Sequence, residues 1–300
     1  MATRTAPLPV RLDPLDRRLL AALDRDPTAG YTRLGEKLQA SPRTVAGRLA
    51  RLRSHGVVRV VGRTLPGFGG RDSWLVRARV DPGTARQVAA ALARDEHSRW
   101  VRLTRDRSEL VAGLVTASPD DDVLVALPAD RRVREVRSYE LLEVWSRQDD
   151  AVTRPARELD PVDRRLLQVL AEDGRTPVRD LAARIGVDAS TASRRRRRLV
   201  AERVLFFEAD IHPAALADGG DAMLWLRTAP GGVRALGRWL RRRPECRFAA
   251  ATSGDVSVVA HMTLPDPTAL LDFLDGPLAE RGAQGVDVVR LGQVFKRHAP

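Results

Sequence analysis

Leu12-Asp-Pro-Leu-Asp-Arg-Arg-Leu-Leu20 returns 147 residues later as Leu159-Asp-Pro-Val-Asp-Arg-Arg-Leu-Leu167. The repeat runs without a gap from Leu12 to Val60 and from Leu159 to Phe207, with sixteen of 49 paired positions identical. A period this long exceeds any solenoid unit, so each copy is a module of domain size. Within copy one, Asp13 is a predicted N-cap and Pro14 a favourable first helical residue. Leu15, Leu19, Leu20 and Leu23 then share one helical face, as do Val162, Leu166, Leu167 and Leu170 in copy two. A loop follows, with Pro27 and Gly30 in one copy and Gly174 and Pro177 in the other. The next helix is short, Thr32 to Gln39 or Arg179 to Ile185, and a tight turn brings the chain to Ser41 or Asp188. Both are good caps for a third helix. Two helices joined by a three- to four-residue turn behind a supporting helix form a helix-turn-helix.

The third helix carries the chemistry. Val45, Leu49 and Leu52 fall on one stripe at helical spacing, which leaves Arg43, Thr44, Gly47 and Arg51 facing outward with Arg48 on the flank. Copy two places Ser190, Thr191, Arg194 and Arg198 at the outward positions and Arg195 on the flank. Short hydroxyl residues at a helix start can approach base edges, and arginines can reach guanine edges or phosphates. Together with the cap Ser41 these are the candidate DNA contacts. Arg196 breaks the pattern, because it occupies the core-facing position of Leu49; its stem is expected to pack while the guanidinium snorkels outward. Arg203 likewise stands where Gly56 is expected to end the helix in copy one.

The chain has 300 residues, net charge +12 and a hydrophobic fraction of 43%, which suits a globular protein with more than one core. Almost all its positive charge is arginine, which suits a polyanion partner. One cysteine, Cys246, excludes an internal disulfide framework and a cysteine-rich metal knuckle. No apolar run approaches the roughly 20 residues that span a bilayer. A short N-terminus with no apolar signal region completes the expectation of a soluble, cytoplasmic chain. His55, His97, His212, His261 and His298 are scattered, with no metal-ligand or catalytic spacing. Neither a metal, a cofactor nor an enzymatic site is expected.

Behind each helix-turn-helix a short strand leads into the order strand, helix, strand, strand, helix, strand. Copy one spans Trp74 to Val144 and copy two Ala222 to Phe295. This βαββαβ order predicts a four-stranded antiparallel sheet with both helices on one face, ferredoxin-like. The uncovered face has to be buried, and the other copy's sheet is the natural cover. Sheet edges are expected to remain exposed and to favour higher assembly. Gly67-Phe68-Gly69-Gly70 and Gly219-Gly220 suit hinges, and Ser253-Gly254-Asp255 suits a hairpin turn.

The assembled pattern resembles the Lrp/AsnC (feast/famine) family of transcription regulators, twice over. Its most specific part is Leu-Asp-x-x-Asp-Arg-Arg-Leu-Leu, then Asp-Gly-Arg, then Leu-Ala-x-x-Ile-Gly-Val, between Leu159 and Val187. The resemblance implies an α+β chain with two helix-turn-helix domains, each followed by a ferredoxin-like (RAM-type) domain, at 1–62, 63–150, 151–209 and 210–300. It further implies a covalent pseudo-dimer that binds double-stranded DNA, assembles into a homo-oligomer and senses an amino acid or similar small effector. The family's effector pocket lies around the loop between the second and third sheet strands. Copy two keeps Thr252, Ser253, Gly254 and Asp255 there, whereas copy one has Thr104, Arg105, Asp106 and Arg107.

Two other readings stay open. Sirohaem decarboxylases share this two-part fold and rely on a histidine behind the helix-turn-helix. Only His212 could serve that role, with Thr64 and Leu65 in the matching stretch of copy one. A scaffold that kept the fold but lost DNA recognition is the third.

Overall fold

The structure is a computed structural model that describes residues 10–65, 67–117, 122–145, 157–215 and 220–297. Copy one contributes α1 (Pro14–Arg25), α2 (Tyr31–Leu38), α3 (Pro42–Ser54), β1 (Val58–Arg63), β2 (Asp72–Val80), α4 (Ala85–Arg94), β3 (Ser98–Thr104), β4 (Glu109–Thr116), α5 (Asp122–Ala129) and β5 (Val133–Trp145). Copy two repeats the order with α6 (Pro161–Glu172), α7 (Val178–Ile185), α8 (Ala189–Ala201), β6 (Phe206–Ile211), β7 (Gly220–Thr228), α9 (Val233–Arg242), β8 (Cys246–Thr252), β9 (Val258–Leu264), α10 (Pro267–Phe273) and β10 (Ala283–Lys296). These elements gather into two compact units, one holding both helix-turn-helix segments and the other both sheets.

In the helical unit, α1 starts in a capping box. The Asp16 amide donates to the Asp13 carboxylate at 2.8 Å and the Asp13 amide donates back to Asp16 at 3.1 Å. Leu19, Leu20 and Leu23 are buried with Leu34 and Leu38 of α2 and with Val45, Leu49 and Leu52 of α3. The two copies are joined by an antiparallel ribbon, β1 against β6, running from the pair Val58 and Ile211 to the pair Arg63 and Phe206. Each first helix also leans on the strand leaving the other copy, α6 on β1 and α1 on β6. Gly174 permits the closest approach: its amide donates to the Val60 carbonyl at 2.8 Å, and a Cβ there would lie 2.8 Å from the Phe207 ring.

In the sheet unit each copy forms a four-stranded antiparallel sheet, in the order β3-β4-β2-β5 and β8-β9-β7-β10. The sheets do not end in free edges. β5 pairs with β8 and β10 with β3, so eight strands close into a barrel. This corrects the expectation of exposed edges, because each copy's edge strand is consumed by the other copy. Period-two alternation separates the two faces of every strand. Val258 and Ala260 join the core under α9 and α10, while Val259 points to the barrel interior. That interior mixes both copies: Leu75, Val111 and Tyr139 pack with Met223, Trp225, Val289 and Leu291. Each sheet therefore covers the other's inner face.

Smaller departures have local causes. α10 stops at Phe273, and the chain continues as a wider turn over Leu274–Leu278, where Pro277 lacks an amide donor. Gly220 opens β7 rather than forming a hinge, whereas Gly219 lies outside the described residues. Arg203 adopts φ +62°, the same left-handed turn that Gly56 makes at φ +65°. No helix among the described residues is long and apolar enough to cross a membrane.

The turn between the second and third helices is left-handed in both copies, at Gln39 (φ +55°) and Gly186 (φ +73°). Only glycine takes that conformation without strain. Gln39→Gly is therefore expected to stabilise copy one by about 0.5–1 kcal/mol, read as a higher denaturant midpoint with an unchanged slope.

Candidate nucleic-acid interface

The third helices α3 and α8 begin on side-chain caps. Ser41 Oγ accepts the Thr44 amide at 3.0 Å, and the Asp188 carboxylate accepts the Thr191 amide at 2.9 Å. Hydrogen bonds from Ser190 and from the Thr191 amide hold the Asp188 carboxyl well below the usual carboxylate range. Val45, Leu49 and Leu52 are buried as expected, and in α8 Ala192 and Leu199 take the inner face. Ser41, Arg43, Thr44, Gly47, Ser190 and Arg194 are exposed, and Thr191 is half-buried.

The structure divides the arginines into two kinds. Arg43 and Arg194 are exposed and meet no acceptor among the described residues, and Arg197, outside the expected set, joins them. Its signal was available: Ser190, Arg194 and Arg197 follow a four-then-three spacing that keeps one helical face. The other arginines are clamped to helix one. Arg48 reaches both Asp13 and Asp16, the latter at 3.0 Å, and Arg51 reaches Asp16 at 2.5 Å. Copy two repeats this, with Arg195 at 2.6 Å from Asp160 and 2.9 Å from Asp163, and Arg198 at 2.9 Å from Asp163. Arg157 adds a further bond to Asp163 at 2.6 Å.

Asp16 and Asp163 are wholly buried, yet the arginine side chains remain 21–37% exposed, so the cations carry the cluster to the surface. Burial pushes the Asp16 carboxyl up, but hydrogen bonds from Arg51, the Asp13 amide and Arg48 more than reverse it. Asp163 behaves alike through Arg157 and Arg195. The Arg195 hydrogen bond, then the Asp163 amide, lowers Asp160 to about 2. Around the copy-one clamp an open groove is lined by Arg11, Asp13, Asp16, Arg43, Thr44, Gly47, Arg48 and Arg51. Gly47 leaves its mouth open, since a Cβ there would meet nothing within 4 Å; copy two carries Arg194 at that position.

Arg196 is half-buried, and its guanidinium does not snorkel outward but lies 5.0 Å from the centre of the Phe207 ring. Desolvation, then the nearby Arg175, weakens its hold on the proton. The face of an aromatic ring compensates part of that lost hydration.

The effector candidates sit in the sheet unit, at the turn between β8 and β9. Thr252 Oγ1 donates to the Val256 carbonyl at 3.1 Å. Ser253 faces β5: its amide donates to the Glu140 carbonyl at 3.0 Å, and its hydroxyl accepts the Glu140 amide at 2.9 Å. Gly254, at φ +92°, lies against the Tyr139 ring, and Asp255 is 3.5 Å from Arg137. Burial, then the charge of Asp255, raises the Tyr139 hydroxyl's pKa. In copy one Arg107 takes the left-handed conformation, at φ +63°, and Asp106 caps the turn through Ser108.

The AsnC-type helix-turn-helix domain pattern matches residues 12–53 and 159–200. The HTH-type transcriptional regulator AldR of Mycolicibacterium smegmatis is 34% identical over 123 residues, covering 40% of this chain and 72% of that protein. The chain belongs to the AsnC-type family of helix-turn-helix proteins. It carries the AsnC-type module twice. A second relative, the regulator FL11 of Pyrococcus furiosus, is 27% identical over 139 residues, covering 46% of this chain and 92% of its own length. Over the full length the fold is like the crystal structure of the siroheme decarboxylase NirDL, with a TM-score of 0.64 at 14% identity, covering 95% of this chain and 93% of that one. At that identity the likeness concerns the fold alone.

Two measurements check this geometry. Gly47→Ala is expected to stabilise the protein by about 0.5–1 kcal/mol, because a mid-helix glycine loses backbone freedom and the added methyl meets open space. The second is acid unfolding. Asp160 has a folded pKa depressed from 3.8 to about 2, so its contribution is present above 3.8 and is lost as the pH falls toward 2. Asp160→Asn should flatten that part of the acid limb.

Proposed function

We propose that the chain is a sequence-specific DNA-binding transcription regulator, without enzymatic activity, that acts as a covalent pseudo-dimer. The observation that carries this reading is the pair of third helices, each with an exposed hydroxyl and arginine face, tied through the β1–β6 ribbon of one compact unit. A dimer of helix-turn-helix domains reads half-sites in successive major grooves about 34–36 Å apart. The ribbon supplies such a linkage within one polypeptide. Ser41, Arg43, Thr44 and Gly47 form the reading face of copy one, and Ser190, Thr191, Arg194 and Arg197 that of copy two. Arg48, Arg51, Arg195 and Arg198 flank those faces.

The faces are not equivalent, since Arg43, Gly47 and Ala50 align with Ser190, Arg194 and Arg197. The preferred site is therefore asymmetric. Selection of bound fragments from random or genomic DNA tests the proposal: an enriched asymmetric sequence supports it, a strictly palindromic site contradicts the two-face assignment, and no enrichment overturns the regulator. Arg43, Arg194 and Arg197 have no partner to give up among the described residues, so they set the salt dependence. Replacing all three by Ala is expected to reduce the slope of log K against log salt by about 0.9 for each phosphate no longer neutralised.

For effector capture, the turn at Thr252, Ser253, Gly254 and Asp255 remains the candidate. An amino acid bound there would have to displace the Ser253–Glu140 pair, which couples copy two's turn to copy one's last strand. Repeating the selection with pooled amino acids reads out that coupling. Assembly beyond one chain belongs to the same proposal and requires outer faces, since the barrel has no spare edge.

The full-length likeness to NirDL favours one competing reading, a tetrapyrrole enzyme of the sirohaem-decarboxylase type. His212 would be its working residue. Its Nδ1 accepts the Ala214 amide at 3.2 Å, and its own amide donates to Val57, so it serves the turn that follows β6. A tetrapyrrole absorption band in the purified protein would favour the enzyme.

A further inference from the structure

Within the third helices only four aligned positions are identical between copies: Thr44 and Thr191, Arg48 and Arg195, Arg51 and Arg198, and Leu52 and Leu199. Three exposed positions differ, Arg43 against Ser190, Gly47 against Arg194 and Ala50 against Arg197, whereas both arginines that meet helix one were kept, along with Asp13, Asp16, Asp160 and Asp163. We propose that Asp13 and Asp160 are positioning residues that grip Arg48 and Arg195 by a single guanidinium nitrogen and so aim the rest of each guanidinium at one base edge in the major groove.

Each aspartate takes only Nη1 of its arginine. The Nε–H and the second Nη meet no acceptor among the described residues, and in copy one the side chain lines the open groove beside Arg43 and Thr44. An arginine with four rotatable bonds loses substantial entropy when fixed on a base. Fixing it beforehand against a carboxylate removes that loss from the binding step. The anchor is itself rigid, because Asp13 and Asp160 are also the N-caps of α1 and α6, bonded to the amides of Asp16 and Asp163 at 2.8 Å. The charge balance agrees. Asp13 and Asp16 neutralise Arg48 and Arg51, so this pair adds little to attraction for any duplex and acts through direction. Stability alone is a weak reason to keep such a cluster, since buried ion pairs repay little of their desolvation.

This inference rests on the DNA-binding reading, and the test separates the two. Asparagine caps a helix as well as aspartate does, so Asp13→Asn and Asp160→Asn keep the fold while removing one of the two carboxylates that hold that nitrogen, Asp16 and Asp163 being the other. Affinities for the selected duplex and for a scrambled duplex are measured at one salt concentration. Each variant is expected to lower the ratio of selected to scrambled affinity by about tenfold. The loss should fall on the selected duplex, with the scrambled one bound at least as tightly because a negative charge is gone. In an Arg48→Ala background, Asp13→Asn should lower the ratio no further. An unchanged ratio, or an equal loss on both duplexes, overturns the positioning role while leaving the regulator intact. A wild-type protein that prefers no duplex overturns both.

Discussion

A carboxylate sealed from water stays ionised only if cations and hydrogen bonds replace its hydration. Asp16 and Asp163 are in that situation, and in each copy two arginines of the third helix supply the replacement, joined in copy two by Arg157. Asp16 also closes the capping box of α1, and Asp160, which shares Arg195 with Asp163, caps α6, so the start of helix one and the third helix meet in one cluster. Arg43 and Thr44 in one copy, and Ser190, Arg194 and Arg197 in the other, are exposed because Arg48, Arg51, Arg195 and Arg198 are turned toward the aspartates.

Duplication within one chain adds the second constraint. The sheets exchange edge strands to close a barrel, and the helical segments exchange support through β1 and β6. Each shared surface is built once, from two different sequences, so the copies can diverge in compensating ways. Leu49 and Val60 of copy one are answered by Arg196 and Phe207, where a guanidinium lies on an aromatic face. Arg175 of copy two bonds the carbonyls of Pro27 and Ala29 and lies over the Tyr31 ring, an arrangement for which copy one holds Thr28 at the aligned position. A symmetric dimer of identical chains could not change one side of such a contact without changing the other. The fused chain can, which is how two exposed helix faces of different chemistry coexist on one scaffold.

Ion pairs also cross between the copies in the helical unit. Asp173 closes the loop after α6 and also pairs with Arg53 near the end of α3, at 2.5 Å. Arg59 and Asp210 pair across the ribbon at 2.7 Å. One pair thus ties α3 to the C-cap of α6, and the other ties the two strands of the ribbon. The sheet unit is held differently. Apolar side chains of both copies fill the barrel interior, and a buried ionic group, Asp221 with Arg102 and His261, crosses between the copies.

The repeat, the three-helix order, the caps at Asp13, Ser41 and Asp188, and the βαββαβ order follow from sequence alone, because capping and apolar periodicity are local properties. So does the need for each sheet to find a cover, since an alternating strand must bury one face. Which arginines point at solvent and which at Asp13, Asp16, Asp160 and Asp163 was decided only in three dimensions: helical spacing puts Arg51 and Arg198 outward, but the partner carboxylates lie 35 residues away. The resting place of Arg196 on Phe207 and the closing of the barrel through β5–β8 and β10–β3 were decided there too. A charge's partner and a strand's edge neighbour depend on what the rest of the chain brings alongside, and no window of neighbouring residues contains that information.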